Sequence, residues 1–105
     1  AVLYAQKGDW DKAYTYAESA ALQNDAEAQM LLGGWYENGR GGRADTHKAV
    51  RFYEMAAKNG DLNAKMALLL INKNGRMDYA PNVFAAGRWQ KIIKKQKTLM
   101  KKLGE

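Results

Sequence analysis

From Ala26 onward, apolar side chains fall at Ala28, Leu31, Leu32, Trp35 and Tyr36, the i, i+3, i+4, i+7, i+8 spacing of a helix with one buried face. Asp25 is placed to cap the start of this helix and Gly39 its end. The same spacing returns at Ala49, Phe52, Tyr53, Ala56 and Ala57, behind a second candidate cap, Asp45. Two short amphipathic helices joined by a glycine-rich turn predict one helical hairpin ending at Gly60.

A hairpin of this size cannot bury both its faces alone, and the chain supplies neighbours for it. A shift of 36 residues carries Asp9, Lys12, Ala13, Glu18, Ala20, Ala21 and Asp25 onto Asp45, Lys48, Ala49, Glu54, Ala56, Ala57 and Asp61. The register continues with Ala28, Met30, Leu32, Asn38, Gly39 and Arg40 falling on Ala64, Met66, Leu68, Asn74, Gly75 and Arg76. Alanines recur where helices approach closely and aromatics where gaps need filling, so the repetition has a packing reason.

Around the hairpin the pattern predicts further helices. Ala1 to Lys7 reads as the tail of a first helix and Gly8-Asp9 as a turn and cap. Trp10 to Leu22 follows, with Ala13, Tyr16, Ala17, Ala20 and Ala21 inward and Lys12, Glu18 and Gln23 toward water. Leu62 to Asn74 turns Ala64, Ala67, Leu68 and Ile71 inward, and Gly75 ends it. Pro81 suits the first turn of a helix, so Asn82 to Leu103 is the final element. Its stripe is Ala85, Trp89, Ile92, Ile93, Gln96, Leu99, Met100 and Leu103, expected to lie along the preceding hairpin and close the stack.

The residues Ala28, Leu32, Gly33, Tyr36, Gly39, Asp45, Ala49, Tyr53, Ala56, Ala57 and Gly60 resemble the Sel-one-like repeat. The flanking copies depart from its pattern, with Leu69 where the small Gly33 stands and Asn72 where Tyr36 stands, as in a last hairpin adapted to end a stack. Tyr4, Gly8, Asp9, Trp10, Ala13 and Ala20 are similar to the related tetratricopeptide repeat. Both resemblances imply an all-α, right-handed solenoid of stacked antiparallel hairpins, here five or six helices with a long C-terminal capping helix. They also imply a non-catalytic scaffold that holds peptides or partner proteins on its inner surface.

Length and composition narrow this reading. The 105 residues make one domain, with a partial repeat over 1–24, a central repeat over 25–60 and a final repeat with its capping helix over 61–105. The chain opens on Ala1-Val2-Leu3, and the few helical residues before Tyr4 lead us to expect upstream repeats in a longer protein. Without cysteine there is no disulfide or thiol chemistry, and no apolar run approaches the roughly 18 residues of a membrane span. Compartment and oligomeric state are not legible.

Candidate chemistry is thin. Gly39-Arg40-Gly41-Gly42-Arg43 has no preceding strand and no following Gly-Lys-Ser/Thr, so a turn explains it better than a phosphate loop. His47, the sole histidine, would need Asp45 and Asp11 to hold a metal, at no recognised spacing. Asp9, Asp11, Asp25, Asp45 and Asp61 sit at helix starts, where capping and the helix dipole account for them. Trp10, Trp35 and Trp89 fit core positions better than base-stacking ones. No catalytic residue, metal ligand or cofactor motif emerges.

Recognition remains. With Leu32 and Gly33 packed between helices, Glu27, Met30, Gly34, Glu37 and Asn38 form a separate stripe, repeated as Asn63, Met66, Leu70, Lys73 and Asn74. This stripe is the candidate concave surface for a protein or peptide partner; the alternative is that Met30 and Met66 plug gaps between helices. The competing surface is the basic final helix, where Lys91, Lys94, Lys95, Lys97, Lys101 and Lys102 contribute to the net charge of +6. Those lysines read as the solvated face of a cap, or as a site for nucleic acid, acidic protein or anionic lipid, with nucleic acid the less favoured ligand.

Overall fold

Aspartates open the four short helices, and their carboxylates take up backbone N–H groups that would otherwise be left without partners. In a computed structural model that describes residues 9–104, these helices are α1 (Trp10–Leu22), α2 (Ala26–Asn38), α3 (Thr46–Lys58) and α4 (Leu62–Asn74). Asp9, Asp25, Asp45 and Asp61 accept from the N–H of Lys12, Ala28, Lys48 and Ala64 at 3.3, 3.2, 3.1 and 3.0 Å. Each such cap is worth about 1 kcal/mol. Gly39, in the left-handed conformation with φ 70°, closes α2, and a short 3₁₀ turn over Arg40–Gly42 follows. The expected helix tail over Ala1–Lys7, with Gly8, lies outside the described residues.

The long helix α5 (Val83–Gly104) starts one residue later than the proline suggested. Asn82 is its cap, accepting from Ala85 N–H at 3.0 Å, so Pro81 sits just before the helix rather than in its first turn. There its ring packs against Gly75, where a Cβ would come within 2.8 Å of Pro81 Cδ. Among the described residues there is no strand, only an isolated bridge between Arg76 and Tyr79 in the turn leading to α5.

Packing follows chain order: α1 on α2, α2 on α3, α3 on α4 and α4 on α5. The core is a ribbon of Ala13, Ala17, Ala21, Leu32, Ala49, Ala56, Ala64, Leu68 and Ile71, with the rings of Trp35, Tyr36, Phe52 and Tyr53 packed among them. The closest approach is between α2 and α3, where a Cβ on Gly33 would lie 2.5 Å from the Tyr53 ring. The small residue of the repeat pattern is therefore a steric requirement. On α1 the structure corrects the expected stripe, because Tyr14 is buried and Tyr16 is exposed. Both fit a helical spacing with the alanines, but only Tyr14 meets the rings of Trp35 and Tyr36, at centroid distances of 5.2 and 5.1 Å.

The expected stripe of α5 is buried only in part. Ala85 and Ile93 are buried and Trp89 packs against the core, yet Ile92, Leu99, Met100 and Leu103 are exposed. Gln96 marks the limit: its amide donates to the Gly60 carbonyl at 3.3 Å, and its Oε1 accepts from Lys65 Nζ. Helix α3 ends at Lys58 and α4 begins at Leu62, so no helix remains for residues 97–104 to lie on, and all of them are exposed. They extend α5 by about 12 Å at the ordinary helical rise.

Candidate functional site

The glycine-rich turn serves structure. Gly41 has φ +66°, and a Cβ there would stand 2.6 Å from Trp10. The Arg40 carbonyl accepts the Tyr14 hydroxyl at 2.7 Å, while Arg43 pairs with Asp11 and lies 4.7 Å over the Tyr14 ring. The turn is thus fastened to α1, with its backbone and both arginines engaged or turned outward. Asp45 caps α3, and the His47 ring meets Tyr79 edge-on at 5.0 Å. Among the described residues no three His, Asp or Glu side chains gather as a metal site would require. Trp10 and Trp35 pack edge to face at 5.3 Å, so these rings fill the interhelical space.

Two tyrosine–carboxylate pairs repeat along the stack, a feature that spacing alone did not reveal. Tyr36 donates to Glu18 at 2.8 Å and Tyr53 donates to Glu37 at 2.7 Å. Burial, then the hydrogen bond to the neighbouring carboxylate, pushes both phenols well above their ordinary value of 10.0. Tyr14 is raised as well, mainly by burial. Glu37 also receives Arg76 Nε at 3.3 Å, and the Arg76 guanidinium donates to the Glu37 carbonyl at 3.2 Å. This ties α2, α3 and the turn after α4 together.

The candidate stripe occupies one side of α2 and of α4. On α2, Glu27 is exposed, Met30 is half-buried against the core, Gly34 is partly open and Glu37 is held by Tyr53 and Arg76. On α4, Asn63 and Lys73 are exposed, and Met66 and Leu70 stand 40% and 57% exposed, directed away from buried Leu68. Neighbouring Asn72 points inward instead: its side-chain amide donates to the Leu68 carbonyl at 2.8 Å, its Oδ1 accepts the Tyr79 hydroxyl at 3.5 Å, and its backbone carbonyl accepts Asn82 N–H at 2.7 Å. Asparagine thus serves where the repeat pattern has tyrosine, and Tyr79 from the turn before α5 meets its side chain.

Consecutive helix pairs, aspartate caps in register and a close glycine–tyrosine contact define an α-solenoid of stacked hairpins. Comparison with protein families matches the Sel1 repeat at residues 5–25 and 26–61, more than half the chain. The chain belongs to the Sel1 repeat family. A crystal structure of a Sel1 repeat protein from Oxalobacter formigenes is similar, with 35% identity and a TM-score of 0.70 over 90% of this chain and 40% of that one. This chain therefore spans well under half the length of that relative. Comparison with curated proteins gives no match. Sel1 repeats generally mediate protein–protein interactions through their concave surface, and proteins built from them are typically non-catalytic scaffolds.

Proposed function

We propose that this domain is a protein-interaction module whose partner, a protein or peptide segment, binds along Glu27, Met30, Gly34, Glu37, Asn63, Met66, Leu70 and Lys73. The observation that carries the proposal is the exposure of Met66 and Leu70 on the side of α4 opposite its packed face. Side chains this apolar gain free energy when a partner covers them, and the unbranched methionine adapts to the surface it meets. Glu37, already fixed by two partners, supplies a preset polar edge at no further ordering cost. The division into repeats over 1–24, 25–60 and 61–105 is part of this reading.

Photo-crosslinking tests it. A photoreactive residue at Leu70 should capture a partner from an extract of the native source, and the same residue at Arg51 on α3 should not. Leu70→Glu and Met66→Glu should abolish capture while leaving the thermal melt in place, and capture should persist as salt is raised. Unchanged capture by both variants would overturn the assignment.

A further inference from the structure

Helix α5 forms one wall of a second groove, apart from the concave stripe. The groove is lined by Leu69 of α4 and by Gln90, Ile93, Lys94, Lys97, Thr98 and Lys101 of α5. Lys94, Lys97 and Lys101 are spaced i, i+3, i+7, so they follow one side of the helix past the point where α4 begins. From Gln90 to Gly104 the sequence holds six lysines and no acidic residue. None of these lysines has an ion pair among the described residues, although Lys12, Arg43 and Arg76 do. Leu69 is itself the departure from the small residue of the repeat pattern, and here it presents an apolar side chain to the groove.

From this juxtaposition we propose that the α4–α5 groove docks an acidic amphipathic helix of a partner protein. The apolar face of such a helix lies on Leu69 and on the aliphatic stems of the lysines, and its carboxylates meet the heads of Lys94, Lys97 and Lys101. The overhanging residues 97–104 extend the wall along which it runs. A bilayer surface meets the lysine heads but does not match their spacing along one side of a single helix. A nucleic-acid backbone uses the lysines and leaves Leu69 uncovered. An acidic helix satisfies both chemistries at once.

The test uses the whole chain and three fluorescent synthetic peptides: a helical peptide of leucine–glutamate heptads, its scrambled isomer of equal charge, and a leucine–lysine counterpart. Fluorescence anisotropy at about 0.15 M salt should show binding of the first peptide alone. Lys94→Gln with Lys97→Gln and Lys101→Gln, all at exposed positions, should weaken it about tenfold or more. Leu69→Ser should weaken it similarly, with circular dichroism confirming that helix content is retained. Leu70→Glu, on the concave stripe, should leave it unchanged, so this proposal and the concave-surface reading fail separately. The proposal is overturned by equal binding of the scrambled peptide, by loss of binding in Leu70→Glu alone, by displacement with duplex DNA or anionic vesicles at lower concentration than with unlabelled acidic peptide, or by no binding at all.

Discussion

At the scale of single residues, Gly33 and Gly34 are adjacent in sequence and opposite in consequence. A methyl on Gly33 runs into the Tyr53 ring, which is buried and held by its hydroxyl to Glu37. Gly33→Ala should cost about 1–3 kcal/mol in a urea melt. At Gly34 a Cβ would find only the Tyr53 hydroxyl, at 3.9 Å, so Gly34→Ala should raise stability by about 0.5–1 kcal/mol, the usual gain in a helix interior. The tyrosines set a pH limit. Folding favours their neutral form, so this stabilisation is complete below about pH 10 and is lost as pH rises through the raised folded values. Urea midpoints should therefore fall above about pH 10, and the double variant Tyr36→Phe/Tyr53→Phe should flatten that fall.

At the scale of elements, α5 is two helices in energetic terms. Its first half is packed, so Trp89→Ala should cost about 1.5–3 kcal/mol, less than for a fully buried tryptophan because part of the Trp89 side chain stays in solvent. Its second half is not, and Leu103→Ser, at a side chain 87% exposed, should change the melting free energy by no more than about 0.5 kcal/mol. The sequence pattern read as one continuous stripe because periodicity records amphipathic character and not the presence of a neighbour. The choice of Tyr16 over Tyr14 failed for a related reason: both satisfy the helical spacing, and the decision lies with Trp35 and Tyr36 on another helix. The aspartate caps were legible because their partners lie three residues along the same segment.

At the scale of the whole molecule, contacts are concentrated between consecutive helices, so stability is largely a chain of nearest-neighbour terms. Hydrogen exchange should be slowest in α2, α3 and α4, flanked on both sides, and fast throughout residues 97–104. The solenoid was legible because a repeat writes its packing rule more than once. The tyrosine–carboxylate pairs and the lysine-walled groove were not, since each joins residues whose proximity the periodicity does not encode.

The two ends of the hairpins are fastened by different chemistry. At one end Asn24 and Asn59 exchange amide hydrogen bonds at 3.3 and 3.0 Å, and Asn59 also donates to Gln29 at 2.9 Å. At the other, Arg76 is joined to Glu37 as an ion pair. Neutral amides are indifferent to ionic strength, whereas a partly exposed ion pair weakens with it. Salt should therefore loosen the Arg76–Glu37 tie at one margin of the array and leave the amide contacts at the other in place.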